Sequence, residues 1–467
     1  MNLKPAFVLL LTAFLLWGCA QRESSGPKPP NVILILADDL GYETMPSYGG
    51  TSYQTPHIDR LASEGIRFEH CYAQPQCTPS RVKLLTGISN IRNYVRFGLL
   101  DTSQVTVAQL FRDAGYATGI GGKWQLGTNP GNVRQLGFDD YLVWQLTEGR
   151  ADSTGRDTRY SRPVLDHNGQ VILYDRTEYG PDAINRFSLD FIEKNSRNDR
   201  PFFYLYSMVL VHCPFSPTPD SPEWIDDDTT VMDYKGQAPY FEDMVAYMDR
   251  MVGNIYDKLE EEGIAENTLL IFTGDNGTDT PIVSRFRGKD VAGGKLLSTD
   301  AGTRVPLIAR WPGVIEEGSE CNDLTDFSDF MPTVLEAAGI SVPDSLDIDG
   351  ISFLPQLKGL EGTPRKWVYS WYMNPMKREA RVFARTHRYK LFDTGEFYES
   401  SVDVLEEHPL SSESLDQEAA DTKAMLEEVL SGYEKRRFDA LPAPPDMPAG
   451  PSGPSGPNAN PNPPNQP

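Results

Sequence analysis

The 467-residue chain is short of cysteine, histidine and positive charge. Five cysteines are too few for a disulfide framework, so a packed core has to hold the fold together. Lysine and arginine number 43 against 66 aspartates and glutamates, which gives a net charge of −23. This balance argues against a nucleic-acid binder, because the phosphate backbone requires basic partners. An anionic ligand would have to enter a local cationic pocket set against the field of the whole chain.

Long apolar segments are also lacking. The apolar run 6–18 is too short for a membrane-spanning helix and has the length of a signal-peptide core. It ends just before Cys19, and a small residue before a cysteine at this point is typical of a bacterial lipoprotein signal. We therefore expect a signal peptide over 1–18, lipidation of Cys19 and a tether over 19–30. An ordinary secretory signal is the alternative, and either reading exports the protein.

The lipoprotein interpretation has consequences for location. It predicts an exported bacterial lipoprotein, in the outer membrane or facing the periplasm, that is attached to the membrane through its N-terminal lipid. At the other end, 441–467 is rich in proline and glycine. That composition predicts a flexible tail without a core.

The body of the chain alternates strand and helix signals. A long helix is predicted over 239–262, with methionines along its inward face. Three apolar runs predict strands buried on both faces, as in a parallel sheet: 31–37, 201–211 and 268–273. Strands alternating with helices favour an α/β fold.

The pattern changes after about position 349. Segments 367–372 and 381–392 predict short strands, and 416–436 predicts a helix. We therefore expect a main domain over 31–348 and a smaller C-terminal α+β subdomain over 349–440.

Two of the buried strands end in oxygen donors. Asp38 and Asp39 follow the first strand, and Asp275 and Asn276 follow the third. Ligands gather at the carboxyl ends of strands in open α/β sheets, and these side chains suit Ca2+ or Mg2+. Helix caps and turns use the same residue types, so the sequence leaves both a metal site and a structural role open.

A cysteine and an arginine stand at a predicted helix start. Pro79 can occupy the first turn of a helix, and a helix N-terminus favours anions and lowers a thiol pKa. Cys77 is therefore a candidate nucleophile and Arg81 a candidate anion clamp. The alternative is an inert buried cysteine.

With these residues the sequence resembles the type I sulfatases of the alkaline phosphatase superfamily. The signature of that family, Cys-x-Pro-Ser-Arg, is matched at 77–81. Further matches follow in the family's order, over roughly 31–398. They are Asp38-Asp39, 55–62 against Thr-Pro-Asn-(Leu/Ile)-Asp-Arg-Leu-Ala, 122–127 against Gly-Lys-Trp-His-Leu-Gly, 212–215 against His-x-Pro-Phe, 274–277 as Gly-Asp-Asn-Gly, and 293–295 as Gly-Gly-Lys.

The resemblance implies a fold and a reaction. It implies a large mixed, mostly parallel sheet flanked by helices, with a smaller C-terminal α+β subdomain. The implied reaction is hydrolysis of a sulfate ester to an alcohol and inorganic sulfate, which would make the protein a sulfuric ester hydrolase. The family oxidises the signature cysteine, here Cys77, to formylglycine with a separate maturing enzyme as transient partner. The hydrated aldehyde offers one hydroxyl to attack sulfur and another to expel sulfate later.

The resemblance also implies roles for the site residues. Arg81 would steady the formylglycine. Lys123 and Lys295 would bind sulfate, and His212 would help to protonate the leaving alcohol. The implied ligands of one Ca2+ per chain, with Mg2+ the less favoured ion, are Asp38, Asp39, Cys77, Asp275 and Asn276.

One position departs from the family in a way that affects the mechanism. The family usually has histidine where this chain has Gln125, and that histidine is thought to take a proton as sulfate leaves. Glutamine cannot do so at neutral pH. Another base or water performs the step, or turnover is slow, or Gln125 binds substrate instead.

The motif itself does not identify the alcohol. A surface anchor suits a sulfated carbohydrate taken up at the cell envelope, with no role for nucleic acid. Two alternatives remain open at this point. They are a phosphonate or phosphodiester hydrolase of the same superfamily, and a surface lipoprotein that binds anionic glycans without turnover.

Overall fold

A computed structural model describes residues 28–198, 200–224, 234–374 and 379–437. The predicted signal peptide 1–18, the lipidated Cys19, most of the tether 19–30 and the tail 441–467 lie outside these residues. Among the helices that are described, none combines the length and the apolar character needed to cross a membrane.

The helices and strands follow each other closely along the described chain. The strands are β1 Asn31–Ala37, β2 Ile66–Tyr72, β3 Ala117–Lys123, β4 Asp140–Trp144, β5 Val164–His167, β6 Gln170–Leu173, β7 Phe202–Ser207, β8 Thr268–Gly274, β9 Val283–Phe286, β10 Lys289–Ala292, β11 Arg304–Arg310, β12 Ser319–Asp326, β13 Val368–Asn374, β14 Glu379–Arg385, β15 Lys390–Phe392 and β16 Phe397–Tyr398. The α-helices are α1 Pro56–Ser63, α2 Cys77–Thr86, α3 Asn90–Asn93, α4 Val107–Asp113, α5 Pro130–Gln135, α6 Gly180–Arg197, α7 Phe241–Glu261, α8 Asp300–Thr303, α9 Phe330–Ala337, α10 Leu354–Leu357 and α11 Gln417–Glu434.

A large sheet forms the centre of the molecule. Its order within the described residues is β12-β2-β11-β8-β1-β7-β3-β4-β5-β6. The central strands β8, β1, β7, β3 and β4 are parallel, whereas β11, β5 and β6 join antiparallel. The predicted α/β fold with a large mixed, mostly parallel sheet is confirmed.

Helices cover both faces of this sheet. Side chains alternate along β1, so Ile33 and Ile35 pack with α1, α6 and α7, while Val32 and Leu34 pack with α2, α4 and α9 on the other face. Each such buried aliphatic side chain contributes roughly 1.5–3 kcal/mol. The methionines of α7 are buried in the core that Ile33 and Ile35 share with α1, α6 and α7, as predicted.

Two predicted strands are longer than the observed ones. The strand expected over 201–211 ends at Ser207. Residues 208–211 leave the strand but still bond to the chain after β1, since the backbone N–H of Asp38 donates to the carbonyl of Leu210 at 2.9 Å and that of Val211 to the carbonyl of Asp38 at 2.8 Å. The strand expected over 381–392 is divided into β14 and β15. A turn closed by Thr386 and Tyr389 separates them.

A separate antiparallel sheet, β13-β14-β15-β16, carries helix α11 on one side. It is the smaller C-terminal unit that the sequence predicts, although the boundary at 348/349 stays a prediction. Cys71, Cys213 and Cys321 are free thiols, so none of the described cysteines forms a disulfide.

A buried lysine ties this C-terminal sheet to helix α2. The Nζ atom of Lys83 lies 2.6 Å from Oδ2 of Asp326, at the end of β12, and donates to the carbonyl of Tyr369 on β13 at 3.1 Å. Both charged side chains are almost fully buried. Lys83 therefore fixes α2 against two neighbouring elements at once.

We expect Lys83→Met to destabilise the protein by about 3 kcal/mol or more. The substitution keeps most of the aliphatic stem but leaves Asp326 buried without this partner, and an unpaired buried charge is strongly unfavourable. Urea unfolding of the purified variant measures the loss. Lys194→Met is the matched control, because Lys194 pairs with Asp140 at 3.1 Å at the surface and should contribute less than about 1 kcal/mol. Equal losses in the two variants would contradict the proposed anchoring.

Candidate functional site

The site lies where four neighbouring parallel strands end. Strands β8, β1, β7 and β3 are adjacent in the sheet, and their carboxyl ends point the same way. Ala37 pairs with Gly274 at the last position of the β1–β8 ladder. The residues that follow, Asp38 and Asp275, therefore leave the sheet side by side. Lys123 is the last residue of β3 and joins them from the other side of β7.

The predicted acidic residues form one buried cluster. Asp38, Asp39, Asp275 and Asn276 each have 0% exposure. The backbone N–H of Asp39 donates to Oδ1 of Asp275 at 3.1 Å, and Nδ2 of Asn276 donates to Oδ1 of Asp39 at 2.8 Å. The loops after β1 and β8 are thus joined by their own side chains.

Burial and mutual repulsion shape the charges of these carboxyl groups. Burial raises the pKa of Asp275 to about 6, and Asp38 adds to the rise. Burial also raises the pKa of Asp39. Burial acts on Asp38 in the same direction, but Lys123, Arg81 and Lys295 outweigh it and its pKa is lowered. Three carboxyl groups held this close together need compensating positive charge.

The donor set fits a hard divalent cation. Oδ1 of Asn276 is buried and accepts no hydrogen bond from the described residues. An uncharged oxygen left without a donor beside three carboxylates is a ligand-type atom. Ligand atoms of Asp38, Asp39, Cys77 and His212 lie within 4.8 Å of one another. His212, expected to contact the leaving alcohol, thus lies next to the predicted ligands.

Cys77 begins helix α2 and faces the acidic cluster. Its Sγ lies 3.5 Å from Oδ1 of Asp38 and 3.8 Å from Oδ1 of Asp39. Burial raises the pKa of the Cys77 thiol well above its usual value, and Asp275 raises it further. The helix N-terminus does not prevail here, so the cysteine as encoded is a thiol and a poor nucleophile.

Arg81 lies one turn further along α2 and binds the acidic cluster through Asp275. Its Nε and Nη2 both donate to Oδ2 of Asp275, at 3.1 and 3.0 Å, and its Nη1 donates to the carbonyl of Lys123 at 3.0 Å. A contact with the Ser207 hydroxyl completes the set. The fork of the guanidinium thereby fixes the first turn of α2 against β8, β3 and β7.

Two lysines pair with different carboxylates of the cluster. Nζ of Lys123 lies 2.8 Å from both carboxylate oxygens of Asp38, and Nζ of Lys295 lies 2.6 Å from Oδ2 of Asp39. Burial alone would lower the pKa of Lys295, but Asp39 and Cys77 raise it well above its usual value. The ammonium group of Lys295 is therefore held charged inside the protein.

His212 is linked to Lys295. Its Nε2 lies 3.1 Å from Nζ of Lys295, and its Nδ1 faces the carbonyl of Cys213 at 2.5 Å. Burial, and then the charge of Lys295, lower the pKa of His212 well below its usual value. The imidazole is neutral, with Nδ1–H donating to the carbonyl and Nε2 accepting from Lys295.

Gln125 lies next to the residue that follows Cys77. Oγ1 of Thr78 donates to Oε1 of Gln125 at 3.3 Å. With its carbonyl oxygen engaged, the amide of Gln125 presents Nε2 as a donor. A donor that cannot take up a proton fits substrate binding rather than base catalysis.

Several residues of the site carry no sequence motif. Ser207 contacts Arg81 and donates to the carbonyl of Lys123 at 2.6 Å, and the hydroxyl of Tyr160 contacts the carbonyl of His212. Thr78 lies inside the signature as its variable position. The end of the β7 run could have indicated Ser207, but nothing in the sequence connects Tyr160 to His212.

The negative charges of the site are matched by an equal number of positive charges. Three carboxylates face three cations, namely Arg81, Lys123 and Lys295. A divalent cation bound by the carboxylates would leave the lysine charges to a second anion. The arrangement can therefore hold a metal ion and an oxyanion side by side, next to residue 77.

Comparison with known proteins agrees with this geometry. A family model described as Sulfatase matches residues 30–340, and one described as N-sulphoglucosamine sulphohydrolase, C-terminal, matches 294–435. Human arylsulfatase A is 32% identical over 391 residues, which cover 78% of this chain and 74% of that protein. Dog N-acetylgalactosamine-6-sulfatase is 31% identical over 384 residues, 74% of this chain and 69% of that protein.

Solved structures show the same fold. The phosphonate monoester hydrolase of Agrobacterium radiobacter superposes with a TM-score of 0.65 at 21% identity, over 88% of this chain and 96% of that one. At this identity the likeness concerns the fold alone. The family models and the closer sequence relatives carry the assignment of the reaction: the chain belongs to the sulfatase family and is a sulfuric ester hydrolase.

Proposed function

We propose that this sulfatase hydrolyses sulfate esters of carbohydrates, using a formylglycine made from Cys77 and one bound Ca2+. The observation that carries the proposal is the pair of buried lysines that flank residue 77 at the edge of the sheet. The carbohydrate part is supported by the relatives, since one matching protein acts on N-acetylgalactosamine 6-sulfate by name and one matching model is named for N-sulphoglucosamine.

The chemistry at position 77 depends on an oxygen replacing sulfur. Hydrated formylglycine would supply a hydroxyl nucleophile, which the buried Cys77 thiol with its raised pKa does not. A separate maturing enzyme would perform the oxidation before the site is complete. Arg81, which fixes the first turn of α2 to Asp275, would hold the modified side chain in position.

Calcium fits the site once residue 77 carries oxygen. Asp38, Asp39, Asp275 and Asn276 offer carboxylate and amide oxygens, and Ca2+ prefers an all-oxygen set. When bound, the ion would polarise the sulfate oxygens and favour the ionised nucleophile. Asn276, whose Oδ1 accepts no hydrogen bond from the described residues, would contribute an uncharged ligand.

The remaining residues would handle the substrate. Lys123 and Lys295 would bind the sulfate group once the metal shares their carboxylate partners. The proton for the leaving alcohol would pass through the His212–Lys295 pair, because Lys295 carries a proton and His212 accepts its hydrogen bond. Gln125 would donate a hydrogen bond to the substrate.

The cellular location is part of the same proposal. The segment 6–18 and Cys19 support export and lipidation, which would place the enzyme at the cell envelope where sulfated glycans arrive. These residues lie outside the described part of the chain, so the argument is one from sequence.

Protein purified from its native host should release sulfate from at least one member of a sulfated-glycan panel. It should be faster on a sulfate ester than on the matching phosphate ester, and the peptide containing Cys77 should have the mass of an aldehyde. Cys77→Ala should lower turnover by at least about 10³-fold, because the nucleophile is removed.

Cys321→Ala is the control for that experiment, since Cys321 is partly exposed on β12, the strand at the edge of the large sheet. It should leave turnover unchanged. Faster cleavage of the phosphate or phosphonate ester would favour the related hydrolase activity, and release from aryl sulfates alone would contradict the carbohydrate assignment.

Calcium should stabilise chelator-treated protein against unfolding. An ion that binds only the folded state adds about 2.7 kcal/mol at a concentration 100 times its dissociation constant. Urea unfolding with and without Ca2+ measures the gain, and Mg2+ should give less. Asn276→Leu should weaken the effect, whereas Asn198→Leu, far from the site on the surface, should not. No gain with either ion in the matured protein would contradict the metal assignment.

Gln125→Leu should raise KM about 2- to 10-fold with a smaller change in kcat. The reason is the loss of one hydrogen bond that substrate and transition state share. Gln135→Leu, on exposed α5, is the matched control and should change neither constant. A large fall in kcat with KM unchanged would instead assign Gln125 to the chemical step.

A further inference from the structure

A tyrosine of the C-terminal sheet reaches the site without a partner. Tyr372 lies on β13 and is 1% exposed. Its hydroxyl is fully enclosed and makes no hydrogen bond with any described residue. Buried hydroxyl groups are normally paired, because leaving one unpaired costs free energy. Among the described residues this donor has no acceptor, so a ligand bound beside it could accept its hydrogen bond.

The register of β13 places this hydroxyl above the start of helix α2. Side chains two residues apart lie on one face of a strand, so Ser370 and Tyr372 point the same way. Oγ of Ser370 donates to Oε1 of Gln74 at 2.9 Å, in the loop that leads into Cys77. The backbone N–H of Leu296 donates to the carbonyl of Pro75 in that loop at 2.8 Å, which brings the Lys295 segment to the same place.

The electrostatics of the hydroxyl agree with this placement. Burial raises the pKa of Tyr372 above its usual value, and the Cys77 thiol adds to the rise while Lys295 opposes it. These two groups flank the position proposed for the sulfate. Both groups thus lie close enough to Tyr372 to act on its hydroxyl electrostatically.

We propose that the Tyr372 hydroxyl donates a hydrogen bond to the sulfate group of the substrate, which makes the C-terminal sheet a contributor to the substrate site. The inference rests on the proposed function, in which Lys123 and Lys295 bind the same sulfate. A phenol donor suits a sulfate oxygen, because hydrogen bonds to charged acceptors are the strong ones. It adds no charge to a site whose charges are already balanced.

The same strand provides a matched control. The hydroxyl of Tyr369 is also buried and without a hydrogen-bond partner among the described residues. It lies on the other face of β13, where its ring stacks on Tyr433 with ring centroids 3.9 Å apart. Tyr369→Phe therefore makes the identical chemical change away from the site.

The test compares Tyr372→Phe with Tyr369→Phe in the matured, metal-loaded protein. Tyr372→Phe should lower kcat/KM for a sulfate ester about 10-fold, chiefly through KM, because the hydrogen bond is present in both ground and transition states. Calorimetric titration with inorganic sulfate should show a similar loss of affinity. Tyr369→Phe should leave both quantities at the wild-type value, and neither variant should lose thermal stability.

The outcomes separate the two proposals. Equal kcat/KM and equal sulfate affinity in wild type and Tyr372→Phe would overturn the Tyr372 proposal and leave the reaction intact. A wild type that releases no sulfate from any ester would overturn the proposed function, and the sulfate titration would still decide the role of Tyr372. Equal losses in the two tyrosine variants would assign the effect to packing of β13 and overturn the inference.

Discussion

The site depends on one constraint, which is that three carboxylates must share a buried space with compensating cations. Asp38, Asp39 and Asp275 are fully buried, and each is held by a separate cation. Removing any member leaves a buried charge without a partner, which is far more costly than losing a surface pair. The pairing therefore fixes the ends of β1, β3 and β8 relative to helix α2. That arrangement sets the position of residue 77, the first residue of α2.

The C-terminal sheet is joined to these elements by buried polar contacts and helps to position them. Lys83 joins α2 to β13, and a buried pair between Arg385 on β14 and Asp300 joins the sheet to the segment that follows Lys295. Both connections lie at the end of β13 that precedes Tyr372, because Lys83 bonds the carbonyl of Tyr369 and Arg385 is the ladder partner of Val368. The strand that carries the unpaired hydroxyl is thus fixed by the same elements that carry residue 77 and Lys295, the proposed nucleophile position and the proposed sulfate-binding lysine. A change in the docking of this sheet would alter the proposed substrate site directly.

Sequence reasoning predicted the features that follow from local patterns and missed those that depend on how distant segments pack against each other. The convergence of Asp38 and Asp275 follows from the rule that parallel strands end at one edge, so it was predictable from two apolar runs. The Cys77 helix followed from Pro79 and the signature. The end of β7 at Ser207 was not predictable, because residues 208–211 stay apolar and buried although they have left the strand. Tyr372 was missed because no local pattern shows that a strand from the C-terminal sheet covers the start of α2.

The burial of the cations explains how a chain with a net charge of −23 can serve an anionic substrate. Surface charges are screened by salt over about 8 Å at physiological ionic strength, so the acidic exterior acts weakly at the depth of the site. Lys123 and Lys295 lie inside, at 1% and 8% exposure, where the effective dielectric constant is low and each charge acts strongly. The acidic surface opposes loose binding of polyanions outside the pocket. Selection of the sulfate group is then left to the few groups that contact it. If Tyr372 is one of them, as proposed, it adds a directional hydrogen bond without disturbing the charge balance.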